Sequence, residues 1–187
     1  LWQQIIEMGF TATAIPEEYG GLGLGYLELC VIAEELGRSL APTPFSSSVY
    51  LATEAILNSE DDSLKQNYLP SLANGEKIGS FAHSESNTSP TESNIQCNVS
   101  GNALSGKKIA VVDGDISNFF VVSAKNGSNV GLYLVDASSD GVGIERQPTL
   151  DPSRSHASVI FENAACHELQ SEWSSVTNLL DLSLIHI

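Results

Sequence analysis

The order of apolar and polar residues changes character about 75 residues into the chain. In the first part, apolar residues recur at helical spacing: Leu1, Ile5 and Met8 share one face, and Gly9 is placed to end their helix. The same period predicts further helices over residues 26–38, 46–58 and 61–73. Pro70 lacks the N–H group that a helix interior needs, so we expect the last of these helices to break there.

The second part consists of short β-like runs separated by turn residues. Strands are predicted over 78–83, 95–100, 103–112, 118–124, 130–136, 144–147 and 157–162. Short strands at this spacing are typical of a sandwich or a small barrel, and a helical pattern returns over 172–180. The sequence therefore predicts an α+β protein with an N-terminal all-α helical domain, a β-sandwich or barrel domain, and the start of a third, helical domain, over residues 1–75, 76–170 and 171–181.

The two ends of the sequence differ from the rest. Residues 182–187 read Leu-Ser-Leu-Ile-His-Ile, which CTG-TCT-CTT-ATA-CAC-ATC encodes, and that string resembles a transposase adapter used in sequencing libraries. We interpret these six residues as adapter read-through and exclude them from the fold prediction. The alternative is a genuine apolar helix end. At the other end, the chain starts inside an amphipathic pattern without Met, so we expect its natural start to be missing.

Charge narrows the classes of partner. The 187 residues include 8 Lys and Arg against 23 Asp and Glu, which gives a formal net charge of −15. Such a surface repels nucleic-acid phosphates and anionic lipid, and no segment reaches the roughly 18 consecutive apolar residues of a membrane span. We therefore expect a soluble protein that binds neither nucleic acid nor membrane. A site for an anionic ligand would need a positive field of its own.

The cysteines carry no recognisable chemistry. Cys30, Cys97 and Cys166 are far apart, and no pair has the spacing of a metal site or a redox motif. We interpret all three as small hydrophobic residues in a reducing, cytoplasmic setting, and we predict no metal site.

Five short motifs follow one another in an order that resembles a known family. They are Ile-Pro-Glu-Glu-Tyr-Gly-Gly-Leu-Gly-Leu at 15–24, Val-Ile-Ala-Glu-Glu-Leu-Gly-Arg at 31–38, Tyr-Leu-Pro-Ser-Leu-Ala-Asn-Gly-Glu at 68–76, Leu-Ser-Gly-Lys-Lys at 104–108 with Phe-Phe-Val-Val at 119–122, and Leu-Asp-Pro-Ser-Arg at 150–154 with Ala-Ser-Val-Ile-Phe-Glu at 157–162. Each motif is weak alone. Together, over about residues 1–170, they resemble the acyl-CoA dehydrogenase family.

The glycine-rich loop at 20–25 has two interpretations. A Gly-x-Gly-x-Gly string can cradle a phosphate, but no strand precedes it and it is not the dinucleotide fingerprint. A tight turn between helices, in which glycine supplies positive φ, explains it better. The family resemblance supports the turn.

The resemblance implies FAD-dependent α,β-dehydrogenation of an acyl-CoA thioester. In the family, a carboxylate removes the α-proton while a hydride leaves for the flavin. That carboxylate lies in a C-terminal helical domain beyond residue 187, so we assign no catalytic residue and expect this chain to be inactive alone. The resemblance also implies an electron-transfer flavoprotein as acceptor and a homo-oligomer when full length. An acyl-CoA oxidase, a flavin monooxygenase and a non-catalytic binding or assembly subunit are the alternatives.

The resemblance also implies two cofactor-binding stretches. Phe-Ala-His-Ser-Glu at 81–85 stands where the family has Thr-Glu-Pro, and Ala-Val-Val at 110–112 stands where it has Trp-Ile-Ser/Thr. Ser84 keeps the hydroxyl that a flavin carbonyl or N5 could use, whereas the second stretch lacks both the aromatic ring and the hydroxyl. The candidate residues are Phe81, Ala82, His83, Ser84, Ala110, Val111 and Val112.

Three further polar residues have two interpretations each. Neighbours on a strand point to opposite faces, so His83 is not expected to act together with Ser84. His83 is either ligand-facing or a half-buried polar residue. Arg154 and Lys108 could bind anionic ligand groups, but we favour solvated or salt-bridged surface charges.

Overall fold

Helices lie towards both ends of the chain in this computed structural model, which describes residues 1–151 and 153–183. The helices of the described chain are α1 (Trp2–Glu7), α2 (Tyr26–Arg38), a π-helix (Phe45–Ala52) that continues into α3 (Thr53–Leu57), α4 (Asp62–Ala73) and α5 (Trp173–Ser183). Short 3-10 turns lie at Phe10–Ala12, Glu17–Tyr19 and Glu92–Asn94. Residues 184–187, most of the segment interpreted as read-through, lie outside the described residues.

The expected break at Pro70 is wrong. Helix α4 begins where the Asp61 carboxylate accepts hydrogen bonds from two backbone N–H groups of its first turn, and it runs without interruption to Ala73. Pro70 is exposed in the last turn, so the helix loses one hydrogen bond while Leu69 and Leu72 remain buried beside it. Burial of this apolar face outweighs the local preference of proline.

The predicted helix over 46–58 consists of two elements. A π-helix forms first, and α3 begins at Thr53. The wide π-turn is rare and is stabilised by tertiary contacts, here by Phe45, Val49 and Tyr50, which pack against Ile5 and Leu29.

The strands of the described chain form a mixed sheet. They are β1 (Gly79–Ala82), β2 (Asn98–Ser100), β3 (Ala103–Val112), β4 (Phe119–Asn126), β5 (Asn129–Asp136), β6 (Val142–Gln147), β7 (His156–Ala165) and β8 (His167–Gln170). Their order is β6-β7-β3-β2-β4-β5-β8, and β1 lies beside β4. The seven predicted strands are present with shifts of up to three residues at their ends. Sequence reasoning missed β8, which follows β7 after a single residue and has no turn signal before it.

Strand β1 is central to the architecture because it joins the helices to the sheet. It pairs in parallel with β4, from Gly79 opposite Phe119 to Ala82 opposite Val122. A Cβ atom at Gly79 would collide with the Phe119 ring and with the Ala52 side chain of the π-helix. The close approach of π-helix and sheet therefore requires glycine at this position.

Both faces of β4 are buried. Phe119 and Val121 pack with residues of α3, α4 and α5, whereas Phe120 and Val122 pack with residues of β3, β5 and β7. Phe120 meets Phe161 of β7 edge to face, with ring centroids 6.1 Å apart. The α+β fold class is confirmed: a helical part, a mixed sheet, and a further helix that packs back onto the first apolar cluster.

Candidate functional site

The ends of β1 and β3 meet at one surface. The Ile109 N–H donates a hydrogen bond to the Ser84 carbonyl at 2.8 Å, so the two predicted cofactor stretches are neighbours although more than twenty residues separate them. The resemblance predicted two stretches, and the structure brings them together.

Side chains of the two stretches divide between surface and core. Ser84 and Val112 are half-buried and Ala110 is exposed. Ala82, His83 and Val111 are buried. Half-buried Phe81 packs against the apolar cluster that α3, α4 and α5 form with Phe119 and Val121, which we call the helix-side cluster. We call the accessible set Ser84, Ala110 and Val112 the strand-end surface. Within residues 1–151 and 153–183, the Ser84 hydroxyl has no hydrogen-bond partner.

A bulge in β3 shapes this surface. The register of β3 against β7 shifts between Lys108 and Val111, and Ala110 adopts a positive φ of 51°. Because the bulge adds a residue, Lys108 and Val111 both point inwards while Ala110 between them is exposed. No turn residue in the sequence indicates this bulge.

Lys108 lies directly beneath the strand-end surface. Its side chain is completely buried, and its ammonium donates to the His83 carbonyl at 3.0 Å, to Glu85 Oε1 at 2.7 Å and to Ser123 Oγ at 3.1 Å. Burial lowers the pKa of Lys108, against the opposing effects of Cys97 and Glu85. The predicted salt bridge is present, but the expectation of a surface charge is wrong because the strand folds this side chain into the core.

Glu85 completes the buried ion pair. Its carboxylate also accepts from the Gln96 N–H at 2.5 Å and the Cys97 N–H at 3.0 Å. Burial alone would raise the pKa of Glu85, but the hydrogen bonds from Lys108 and Cys97 and the Lys108 charge bring it below its usual value. Glu85 is therefore the carboxylate partner of Lys108, and it also ties together the two ends of the loop at 86–95.

His83 is buried, and the expectation of a half-buried side chain is wrong. Its Nδ1 lies 2.8 Å from Ser123 Oγ, and its ring stacks on Phe81 and contacts Trp173 of α5. Burial, with the nearby Lys108 charge, lowers its pKa to about 4, so the ring is neutral near pH 7. Its Nε2 is buried without a hydrogen-bond partner in the described part of the chain.

A second buried ion pair joins the helices to the sheet. Arg154, before β7, donates to Asp113 Oδ2 at 2.5 Å and to Ser46 Oγ at 3.1 Å, and the Ser47 hydroxyl donates to Asp113 Oδ2 at 2.5 Å. Ser48 Oγ accepts from the Gly79 N–H at 3.3 Å. The three consecutive serines thus all bind the sheet part. Arg154 is salt-bridged as predicted, whereas sequence reasoning missed Asp113 and the serines.

A separate groove lies beside the helices. A cleft of about 520 Å³ runs between α3 and α5, and its lining includes Glu54, Asn58, Gln170 and Leu179. It shares no residue with the strand-end surface. Its volume would admit a ligand, and in its wall the Tyr26 hydroxyl donates to Glu54 Oε1 at 2.6 Å. Neither of the two stretches that the resemblance assigns to the cofactor lines this cleft, so the strand-end surface remains the candidate site.

Within residues 1–151 and 153–183, no group of three or more His, Cys, Asp and Glu side chains is arranged to hold a metal ion. None of the described helices has the length and apolar character needed to cross a membrane.

The helices, the mixed sheet and the joined strand ends define a protein with the fold of acyl-CoA dehydrogenases. A family model described as "Acyl-CoA dehydrogenase, N-terminal domain" matches residues 1–76. The chain is 32% identical over 143 residues to mitochondrial isovaleryl-CoA dehydrogenase of Solanum tuberosum, an alignment covering 73% of this chain and 35% of that protein. The chain belongs to the acyl-CoA dehydrogenase family, and it spans about a third of the length of the curated relatives that it matches.

Solved structures agree with this assignment. The ChsE4–ChsE5 complex of Mycobacterium tuberculosis matches with a TM-score of 0.84 and 27% identity, over 97% of this chain and 50% of that one. An acyl-CoA dehydrogenase from Bacillus anthracis, solved in complex with FAD, matches with a TM-score of 0.82 and 21% identity, over 97% of this chain and 34% of that one. The second likeness shows the fold alone.

Proposed function

We propose that this chain is the front part of an FAD-dependent enzyme that dehydrogenates an acyl-CoA thioester between its α and β carbons. The observation that carries the proposal is the strand-end surface, where both predicted cofactor stretches meet in a chain of this family. The proposal includes the division into domains at 1–75, 76–170 and 171–181. It also includes a cytoplasmic location, based on the scattered, unpaired cysteines.

The residues at this surface are suited to the edge of a flavin ring. Such a ring needs a hydrogen-bond donor for its carbonyl or N5 edge and a dry surface beside its apolar edge. The Ser84 hydroxyl can be that donor because no described residue competes for it. Ala110 and Val112 provide an apolar surface without an aromatic ring. The fit is therefore to a ring held mainly by hydrogen bonding and shape.

These side chains and the cofactor would have different roles in the reaction. When bound, FAD supplies the hydride-accepting chemistry of the reaction. Ser84 would orient the ring by donating a hydrogen bond, while Ala110 and Val112 would exclude water from its apolar edge. The ion pair of Lys108 and Glu85 lies beneath the surface. It would therefore support the backbone of the site and would not exchange a proton with the substrate. The α-proton requires a base that we place outside this chain.

Titration with FAD tests the proposal. We expect the purified chain to bind FAD, and Ser84→Ala to bind it about fivefold to tenfold more weakly, because one hydrogen bond to a polar ring atom is lost. Ser100→Ala, an exposed serine on β2, is the matched control and should bind like the wild type. Equal affinity in all three proteins would show that the flavin does not use this surface.

Partners of the whole protein are part of the same proposal. They are an acyl-CoA substrate, an electron-transfer flavoprotein as acceptor, and further copies of the chain in a homo-oligomer. Acyl-CoA oxidases and flavin monooxygenases of the same fold differ in oxygen reactivity. Reduction by an acyl-CoA under argon, followed by the rate of reoxidation in air, separates them: slow reoxidation fits a dehydrogenase.

A second candidate function is a non-catalytic binding or assembly subunit. The stretch Ala110-Val111-Val112 favours it, because both the ring and the hydroxyl of the family motif are replaced by small apolar groups. Sequencing the source locus past the Asp181 codon and expressing the longer frame would discriminate the two functions. A yellow protein that an acyl-CoA bleaches supports the enzyme, whereas a colourless one that binds a partner supports the subunit.

A further inference from the structure

We propose that Lys108 is a positioning residue that fixes the shape of the strand-end surface from below. This inference rests on the proposed function, since it concerns how that surface is made ready for the cofactor. Lys108 makes no contact with the surface through its side chain, which is completely buried. It acts through the backbone of the two stretches that form the surface.

The first step concerns the peptide between His83 and Ser84. Its carbonyl accepts from the Lys108 ammonium at 3.0 Å, and the next carbonyl, of Ser84, accepts from the Ile109 N–H at 2.8 Å. Two consecutive carbonyls after β1 are thus bound by two consecutive residues of β3. The orientation of Ser84, the only hydroxyl on the surface, is determined by this pair of contacts.

The second step concerns the bulge. Lys108 is the last residue before the register shift that exposes Ala110. The side chains of Lys108 and Val111 are both buried, so they fix how far the backbone of residues 109–110 extends out of the sheet. Because the Lys108 ammonium also binds the His83 carbonyl, directly after β1, and the Ser123 hydroxyl of β4, its side chain connects the bulge to two segments with which β3 is not paired in the sheet.

The third step concerns the loop after β1. Glu85 binds Lys108 through Oε1 and, through both oxygens, the N–H groups of Gln96 and Cys97. The ion pair therefore ties the loop's two ends to each other and to β3. The ammonium group thus links its own strand β3 to residues 83–85 and to β4, and Glu85 extends the link to residues 96–97.

The cost of burying two charges indicates that Lys108 positions the surface more than it stabilises the fold. A buried ion pair rarely stabilises a fold more than apolar residues of the same volume would, because desolvating two charges offsets their attraction. An apolar side chain would fill the volume of Lys108, but it could not bind a carbonyl, a carboxylate and a hydroxyl at once. The specific benefit of lysine here is geometric.

Two variants separate positioning from folding. Lys108→Met leaves the Glu85 carboxylate buried without its partner, so it should lower the unfolding midpoint. The double variant Lys108→Met with Glu85→Gln removes that charge and should recover most of the midpoint. Positioning predicts that FAD affinity stays about tenfold or more below wild type in both variants, the factor expected from losing one charge-assisted contact.

The control is Tyr68→Phe, which removes a hydrogen bond to Asp136 on the helix side of the sheet. It should leave FAD affinity unchanged, as should any variant whose effect is on folding alone. If the double variant recovers both the midpoint and the FAD affinity, Lys108 is merely structural and the proposal is overturned.

Absence of FAD binding by the wild-type chain would instead count against the proposed function for this chain. Amide hydrogen exchange then decides the role of Lys108. Faster exchange at Ile109 and Cys97 in the double variant, at an unchanged midpoint, supports positioning, because both N–H groups bind acceptors that the ion pair holds. Exchange equal to that of the wild type overturns it.

Discussion

At the scale of single residues, the buried charges of the described chain are held by specific partners. Asp113 is 5% exposed at its side chain and Arg154 is 27% exposed, and the pair binds two serines of the π-helix. By contrast, Arg38 reaches Glu34 on the open surface of α2, where both side chains are about 70% exposed. Burial, more than the presence of a salt bridge, determines what each arginine contributes.

Arg154→Ala should therefore lower the free energy of unfolding by about 3 kcal/mol, because it leaves the buried Asp113 carboxylate without a cation. The same truncation at Arg38 should change it by less than about 0.5 kcal/mol. Urea unfolding of both variants at neutral pH checks the contrast. Equal losses would mean that Asp113 finds another partner or is not buried.

His83 should make the fold sensitive to acid. Its pKa is lowered from 6.5 to about 4 in the folded chain. Between these two pH values the unfolded state binds more protons than the folded state, so a fall in pH lowers the free energy of unfolding. The stability that the neutral ring contributes is complete above pH 6.5 and is lost as the pH approaches 4. Between pH 6.5 and 5 the loss should be about 1.5 kcal/mol.

His83→Gln keeps a side chain able to bind Ser123 but cannot titrate. The variant should show a shallower decline of unfolding free energy between pH 6.5 and 5, measured by urea unfolding at several pH values. The Glu85 carboxylate acts in the same direction, but nearer its ordinary pKa of 4.5 and below, so the chosen window isolates the histidine. Parallel declines would refute a depressed pKa at His83.

The residues at the candidate site were only partly readable from the sequence. The hydroxyl of Ser84 could be predicted, because the family resemblance aligned it with a motif. The burial of Lys108 could not, since it depends on a bulge that no residue type indicates and on Glu85, which comes from another part of the chain. The burial of His83 could not either, since its partner Ser123 is forty residues away.

At the scale of elements, the bulge in β3 is the feature that local sequence opposes most. Ala110 adopts φ 51°, a left-handed conformation that costs an L-residue roughly 1 kcal/mol. The rest of the strand follows its sequence: the predicted bounds 103–112 are those observed. Strand β3 has a second register shift between Leu104 and Gly106, but the shift at Ala110 lies beside the candidate site, where strain commonly accompanies function.

Ala110→Gly should therefore stabilise the chain by about 0.5 kcal/mol, the relief of strain less the entropy that glycine adds to the unfolded state. Ala103→Gly, in the same strand but without a positive φ, should cost about 0.5–1 kcal/mol. Thermal unfolding of the two variants gives the signs. A loss in both would show that Ala110 is not in the left-handed region.

Elements with a strong period were predictable, and those dictated by neighbours were not. Helix α2 was predicted at its observed bounds because its apolar residues repeat clearly over thirteen positions. The π-helix could not be distinguished from an α-helix, since tertiary contacts stabilise its wider turn: the packing on Ile5 and Leu29 and the hydrogen bonds to the sheet part. Strand β8 is four residues long, too short for a pattern of alternation.

At the scale of the whole molecule, an apolar face on α2 lies open. Leu27 is 74% exposed and Val31 is 57% exposed, one helical turn apart, and exposed Leu24 precedes them. Contiguous apolar surface of this kind commonly marks a contact with another chain or segment.

The double variant Leu27→Gln with Val31→Gln should weaken self-association about tenfold or more, because at least one large apolar contact is removed. Leu150→Gln, at a fully exposed loop position, is the matched control and should associate like the wild type. Sedimentation velocity over a range of concentrations measures both. A wild-type chain that stays monomeric throughout would rule out this face as a self-association surface.

The parallel pairing of β1 with β4 has a consequence for the order of folding during synthesis. Strand β1 leaves the ribosome directly after helices α1 to α4. It cannot pair with β4 until Phe119, which follows β2 and β3 in the chain, has been synthesised. Until then the helix-side cluster lacks the sheet residues that cover it. The helical part should consequently stay open to solvent, and to chaperones, until the middle of the sheet has been made. Ribosome-bound chains ending before and after β4 should differ sharply in their resistance to protease.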